Sequence, residues 1–217
     1  MMIDPKIACE RLIDKLREDG ITDERVLDTF RKAPRHRFVT DPRAYDNIAL
    51  AIGSGQTISQ PYIVALMTQL LELNEKDLKI LEIGTGSGFQ TAILAQFSRR
   101  VYSIERHREL GDKARLLLRE MGYENIVFKI GDGTCGWPQW SPFDRIIVTA
   151  GAPVTPESLA DQLAVGGIMV IPVGDSSVQD LMVYEKKEDG LKIKYMAGKV
   201  VFVPLIGQQG WNECLNG

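Results

Sequence analysis

Lys79–Ala95 reads "KILEIGTGSGFQTAILA", and the order of residue types in it decides the fold. Ile80-Leu81-Glu82-Ile83 is a short, mostly apolar run of strand length with an acid near its end. Phe89 to Ala95 is rich in helix-compatible residues, and between the two Gly84, Gly86 and Gly88 alternate with Thr85 and Ser87. A buried strand that turns through glycines into a helix points free backbone N–H groups into a crevice, where such sheets bind nucleotide-like ligands. The competing reading of these glycines is a plain tight turn. Their spacing narrows the ligand. The dinucleotide fingerprint G-x-G-x-x-G wants its last glycine where this chain has Phe89. A bulky side chain there speaks against a pyrophosphate, and the loop suits a ligand with a small carboxylate and a ribose.

Downstream, strands and helices alternate. Val101–Ile104 reads as a strand, Arg108–Gly122 as a helix, and Asn125–Ile130 and Phe143–Val148 as strands. A short helix over Pro156–Leu163 and a strand over Gly167–Val173 follow, while the helix after the glycine loop is expected to run from Phe89 to Ser98. This alternation predicts an α/β fold with a doubly wound, mostly parallel sheet covered on both faces. Asp180–Lys186 and Lys192–Val203 are strands joined by a turn at Asp189-Gly190, predicting a C-terminal antiparallel hairpin at one sheet edge.

Upstream, a helical extension is expected. Asp4 can cap a helix running to Asp19 with Pro5 in its first turn, Gly20 after it, and Ile7, Ala8, Leu12, Ile13 and Leu16 as its apolar stripe. A second short helix uses Val26, Leu27 and Phe30 before Pro34. Arg35 to Ser59 is irregular, with room for a short hairpin, and Pro61 opens a helix on Ile63, Val64, Leu66, Met67, Leu70 and Leu71. Residues 1–60 are thus N-terminal helices and a loop, and 61–217 the core of one domain.

Composition bounds the function. The 217 residues are 44% hydrophobic and 25% charged, as in ordinary globular proteins. The 26 basic and 29 acidic residues give −3, which argues against a nucleic-acid binder relying on a broad basic face. No apolar run is long enough for a bilayer, and "MMIDPKIACERLIDKL" is too charged for a secretory signal. Cys9, Cys135 and Cys214 are scattered, with neither a disulfide framework nor a zinc spacing, so the default is a reducing cytoplasm.

Further candidate positions follow the sheet edge. "VYSIER" ends in Glu105, about 20 residues past the first glycine, where an acid can accept from both hydroxyls of a ribose. The alternative is a solvated acid paired with Arg106 or Arg108. After the next strand, "GDGT" puts Asp132 beside the same crevice, placed to accept from an adenine amino group; the alternative is an Asp-Gly turn.

Taken together, "LEIGTGSGFQTA", "VYSIER", "GDGT" and "FDRIIVTAGAP" resemble the successive motifs of S-adenosylmethionine-dependent methyltransferases with a Rossmann-like fold. "DNIALAIGSGQTISQPYIVALM", with "APRHRFV" before it and "FVPLIG" near the end, resembles the protein-L-isoaspartate (D-aspartate) O-methyltransferases, from about Ile21 to Ile206. Phe89 departs from the tyrosine expected in bacterial relatives, keeping the aromatic body. The resemblance implies a repair enzyme that takes a methyl group from S-adenosyl-L-methionine to the free carboxylate of isoaspartyl residues in damaged proteins. The ester then closes to a succinimide, whose hydrolysis returns some aspartate. It further implies Ser59 as catalytic residue, with Thr57, Ile58, Ser59 and Gln60 along the cofactor. Glu82, Gly84, Thr85, Gly86 and Gly88 would hold its methionine part, Glu105 the ribose, and Asp132 with Gly133 the adenine. Thr57, Ser59 and the segment Val203-Pro204-Leu205 would frame the peptide, although an edge-strand core role explains that segment's apolar content equally well.

The chemistry asks little of the protein. A carboxylate already ionised at neutral pH attacks a methyl on positively charged sulfur, so alignment and exclusion of water matter more than a base or a metal. His36 and His107, each isolated, are accordingly read as exposed or packing residues. Ser59 can donate its hydroxyl to one oxygen of the attacking carboxylate; its other reading is a helix cap. The expected partners are isoaspartyl peptides and proteins, with no nucleic acid, membrane or metal, and a monomer. A methyltransferase of the same fold acting on a small molecule or RNA is the alternative, though the Asn/Asp-Pro-Pro-aromatic motif of nucleobase N-methylation is missing at "TAGAP". A nucleotide-binding dehydrogenase or non-catalytic cofactor module is a third reading, which Phe89 disfavours.

Overall fold

The computed structural model describes residues 4–74 and 77–212. Helix α1 spans Pro5–Glu18, and its N-cap Asp4 accepts from the Lys6 N–H at 2.7 Å. It buries Cys9, Leu12, Ile13 and Leu16. Ile7, expected in the apolar stripe, is 52% exposed, and Cys9 takes the inward position instead. Helix α2 (Glu24–Lys32) turns Val26, Leu27 and Phe30 inward. A hairpin of β1 (Leu50–Gly53) and β2 (Gln56–Ile58) then leads into α3 (Pro61–Leu70).

The sheet is built on β3 (Leu78–Ile83), followed by α4 (Phe89–Ala95) and β4 (Ser98–Glu105). Helix α5 (Arg108–Glu120) leads to β5 (Ile126–Ile130), and β6 (Phe143–Val148) and α6 (Glu157–Gln162) come next. Strands β7 (Leu163–Gly174), β8 (Gln179–Lys187) and β9 (Gly190–Val200) complete it. The order is β5-β4-β3-β6-β7-β8-β9, parallel through β7 and antiparallel for β8 and β9. The edge hairpin thus stands where the sequence placed it.

Several boundaries differ from expectation: β4 begins at Ser98 rather than Val101 and β7 at Leu163 rather than Gly167, and two further differences have a visible cause. Helix α4 stops at Ala95 rather than Ser98, because Asn125 Nδ2 donates to the Ala95 and Ser98 carbonyls (2.8 and 2.9 Å) and draws the chain into β4 early. Strand β9 ends at Val200 rather than Val203. The chain leaves the ladder as it approaches Pro204, which has no N–H to offer, and crosses the end of β6, where the Gly151 N–H donates to the Val203 carbonyl at 2.8 Å.

Alternation along β3 sends Ile80 to one face and Leu81 and Ile83 to the other. The first face packs with Met67, Leu70, Leu71 and Leu94 of the α3 and α4 layer. The second packs with Phe143, Ile146, Leu159 and Tyr102. The N-terminal helices join this core through α4, where Phe30 and Phe38 meet Phe89 edge-on at 5.6 and 5.3 Å. Sequence order reverses between β3 and β6, so the connections from their carboxyl ends diverge and open a crevice.

Candidate active site

The glycine loop forms the floor of this crevice. Gly84, Gly86 and Gly88 all have positive φ (+97°, +53° and +87°), a backbone that other residues rarely adopt. At Gly84 space is limiting as well, since a Cβ would lie 2.3 Å from Thr149 Oγ1. That hydroxyl shares its hydrogen between the Ile83 and Gly84 carbonyls (3.0 and 2.8 Å), tying the end of β3 to the residue after β6. Gly88 lies off the crevice wall and packs the loop onto α5; a Cβ there would meet Leu118 at 3.0 Å and Ala114 at 3.2 Å.

Glu105 ends β4 and is 5% exposed. Its oxygens accept from the N–H groups of Gly86 and His107, both at 2.8 Å, so the acid braces the glycine loop from the neighbouring strand. It lines the crevice with Gly84, Thr85 and Gly86, and the backbone partner on His107 gives that residue a place at the crevice rim. His36 lies elsewhere, its Nδ1 2.7 Å from the Tyr45 hydroxyl.

Glu82 does not line the crevice. Alternation puts it on the face of Ile80, beneath α4, with no exposure at all. One oxygen accepts from Thr91 Oγ1 and Ser103 Oγ, both at 2.6 Å, and the other, Oε1, is buried without a hydrogen-bond partner. Burial pushes its carboxyl up to about 8, against the pull of the Ser103 and Thr91 hydroxyls, with nearby Glu105 adding to the rise.

Asp132 also stands off the wall, whereas Gly133 lines it. The Asp132 carboxylate accepts from Thr134 N and Oγ1 (2.8 and 2.7 Å) and from the Gln208 N–H (2.8 Å). Partial burial opposes its charge, yet these donors, Gln208 foremost, hold its carboxyl below the usual range. It therefore clasps a C-terminal turn, which Trp211 Nε1 secures by donating to the Gly151 carbonyl at 3.0 Å. Gly133 is required to be small, since a Cβ would come within 2.3 Å of Ile83 Cγ2.

The far wall comes from β2 and the residues after it. Thr57, Ile58 and Ser59 line the crevice opposite the glycine loop, and Gln60 lines a neighbouring cavity. That second cavity is walled by Val178 and the segment Lys199–Val203. The two share Thr57, Ser59, Ile63, Thr149 and Val203, so they meet at three hydroxyl-bearing residues, two of which, Thr57 on β2 and Ser59 just after it, come from the same wall. Ser59 is not the cap of α3: the N-cap is Gln60, whose own side chain makes no capping bond, and Asn47 Oδ1 accepts from the Tyr62 N–H at 2.9 Å instead. Val203 belongs to the wall rather than to the β9 edge.

Three positioning features escaped the sequence reading. Thr149 follows the apolar strand β6, and the sheet brings it to the crevice beside Gly84. Arg35 is 1% exposed and reaches the Ser59 carbonyl. The clasp of Asp132 on residues 207–211 joins segments far apart in the chain, with no local signal.

Among the described residues there is no helix long and apolar enough to cross a membrane and no His/Cys/Asp/Glu cluster suited to a metal.

A model of the protein-L-isoaspartate(D-aspartate) O-methyltransferase family matches residues 8–210. A protein-L-isoaspartate O-methyltransferase of Trichlorobacter lovleyi is 53% identical over 214 residues, covering 97% of this chain and 98% of its own. One from Dictyoglomus turgidum is 50% identical over 214 residues, covering 96% of each. A solved protein-L-isoaspartate O-methyltransferase superposes with a TM-score of 0.84 at 30% identity, over 93% of this chain and 67% of the other. A Plasmodium falciparum structure, described as a beta-aspartate methyltransferase in complex with S-adenosyl-L-homocysteine, gives 0.80 at 25% identity, over 90% and 97%.

Proposed function

Because the chain belongs to the protein-L-isoaspartate(D-aspartate) O-methyltransferase family, we propose that its two adjoining cavities hold the cofactor and the damaged peptide, meeting at Thr57 and Ser59. The enzyme methylates isoaspartyl residues of proteins with S-adenosyl-L-methionine, a repair reaction. The observation that carries the site assignment is the shared wall. A transfer between two bound molecules needs their reacting atoms to face each other across one opening, shielded from water.

The residues fit the cofactor. The crevice offers a glycine cradle that side chains would fill and a braced carboxylate at Glu105. Gly84, Thr85 and Gly86 would hold its methionine part, with Gly88 setting the loop on α5 and Glu82, off the crevice, supporting the strand behind them through Thr91 and Ser103. Glu105 would receive the ribose hydroxyls, and Gly133 would face the adenine while Asp132 braces the wall behind it. Ile58 would complete the cofactor side of that wall, and Gln60 would meet the cofactor from the neighbouring cavity that it lines. S-adenosyl-L-methionine supplies an electrophilic methyl group on a positively charged sulfur.

The substrate carboxylate is ionised well below neutral pH, so no residue need remove a proton. Ser59 would act as the catalytic residue by donating its hydroxyl to one oxygen of that carboxylate, leaving the other free to attack. Thr57, two residues earlier on β2, would restrain the peptide beside Ser59, and Val203 would cover it with an apolar wall. Activity on D-aspartyl residues and spontaneous closure of the ester to a succinimide complete the reading. Buried Cys9, outside any disulfide, supports a reducing compartment such as the cytoplasm, and the charge balance of −3 supports action on protein rather than nucleic acid or membrane; a single-domain monomer completes the reading.

The test is paired. With saturating cofactor, an isoaspartyl peptide should be methylated and its aspartyl twin should not. Equal turnover of both would show that the second cavity does not recognise the isopeptide geometry, and Ser59→Ala with undiminished turnover would remove Ser59 from the mechanism.

A further inference from the structure

We propose that Arg35 is the positioning residue of the reaction, setting the Ser59 hydroxyl by holding the loop's backbone from beneath. The proposal deepens the reading of Ser59 above and rests on it.

Arg35 opens a single 3-10 turn, Arg35–Arg37, between α2 and the irregular segment, and is 1% exposed. Its guanidinium reaches four backbone carbonyls. Nη1 donates to Ala44 at 2.6 Å and to Asp46 at 3.4 Å, and Nη2 donates to Ile48 at 3.0 Å and to Ser59 at 3.1 Å. Nε is buried without a partner. The planar ion therefore collects carbonyls from the chain entering the β1–β2 hairpin and from the residue leaving it. The other side of the ion looks toward Phe89, whose ring centroid is 6.0 Å from the guanidinium carbon. Phe89 is the first residue of α4, next to the glycine loop. One side chain thus couples the loop bearing Thr57 and Ser59 to the element that starts the cofactor cradle.

A buried cation is costly unless its hydrogens are satisfied, so a fold that merely needed a filler would hold an apolar side chain here. Burial pulls the guanidinium down to about 10, partly offset by the Asp46 and Asp41 charges, which leaves it charged at neutral pH. The β1–β2 pairing holds the chain up to Ile58 and Asn47 holds Tyr62, which leaves the Ser59 carbonyl between them to Arg35. Ser59 precedes Gln60 and Pro61, Pro61 brings no N–H to the helix start, and the Asn47 side chain holds that end only from Tyr62 onward, at 2.9 Å. With the Ser59 carbonyl released, rotation of that peptide would swing the hydroxyl away from the boundary between the cavities. Lysine cannot replace this function, since an ammonium is a point donor and not a planar fork.

The experiment is a cycle of R35K, S59A and R35K/S59A, each assayed for kcat and KM on an isoaspartyl peptide and for S-adenosyl-L-homocysteine affinity by calorimetry. R35K should lower kcat at least tenfold, keep the S-adenosyl-L-homocysteine affinity within threefold, and change kcat less than threefold when added to S59A. Independent multiplication of the two losses, or a fall in affinity matching the fall in kcat, would make Arg35 a general structural residue and overturn the proposal. So would unchanged turnover in R35K. If S59A alone turns over normally, the Ser59 reading fails and takes this inference with it; if S59A is slow and R35K is not, only the inference fails. R35Q, which keeps a planar donor without charge, is assayed in the same way should R35K not fold, and failure of both to fold assigns the arginine to stability alone.

Discussion

Removing the Glu105 carboxylate should separate loop bracing from ligand binding. In the structure its two oxygens accept N–H bonds of 2.8 Å from Gly86 and His107, in a residue only 5% exposed. Glu105→Ala leaves both donors without their acceptor. Bonds to a charged group contribute about 1.5–3 kcal/mol each, and an unsatisfied buried donor costs about 1–3 kcal/mol. Gly86 lines an open crevice where water can take over its N–H, so the cost of one lost donor rather than two applies, about 1–3 kcal/mol of folding stability. For a chain of this length that lowers Tm by roughly 2–12 °C. The proposed ribose contact is a separate loss of about 1–3 kcal/mol, or roughly a 5- to 150-fold rise in the Kd for S-adenosyl-L-homocysteine. Thermal melts of the free protein read the first quantity and calorimetric titration reads the second. A variant with the lowered Tm but an affinity within twofold of the parent would make Glu105 a loop brace only and refute its assignment to the ribose.

Other expectations are narrower. Ser59→Ala should reduce kcat roughly 5- to 150-fold, the scale of one orienting hydrogen bond, while stability measured by urea unfolding moves by less than about 0.5 kcal/mol because Ser59 caps nothing. Gly84→Ala should destabilise the fold by about 1–3 kcal/mol in the same assay, since φ is +97° and the new Cβ would stand 2.3 Å from Thr149 Oγ1; adding Thr149→Ala should recover part of the loss. Glu82 gives a pH signature. Its carboxyl is raised in the folded state to about 8, so folding binds a proton between its ordinary range and about pH 8. The stabilisation from that proton is complete below about pH 4 and is lost as pH rises through 8, at on the order of 1 kcal/mol per pH unit. Glu82→Gln removes the dependence, so its stability relative to the parent should grow from pH 5 to pH 8; parallel curves would contradict the burial argument.

Which parts of this were legible in the text depends on the range of the interactions. The strand–glycine–helix order around Gly84 is local, and sheet alternation followed from periodicity, so the doubly wound fold and its edge hairpin could be read directly. Glu105 was legible because parallel strands bring their carboxyl ends to one edge, with Ile104 opposite Ile83 in the register. Glu82 was misplaced because its neighbours in sequence say nothing about which face the pleat gives it, and α4 covers that face. Asp132 lies at the sheet edge as expected, but its carboxylate is taken by Gln208, 76 positions away.

By itself, then, the sequence determined the sheet, the glycine cradle, the acid at the end of β4 and, through its motifs, the family. Only the tertiary structure decided that Thr57 and Ser59 stand between two cavities, that Val203 leaves its strand to wall them, and that Arg35 reaches Ser59 across 24 positions. The physical reason is that propensity and periodicity act within a few residues. The wall of this site is instead set by side chains satisfying buried carbonyls and filling space between segments that meet only once the core has closed.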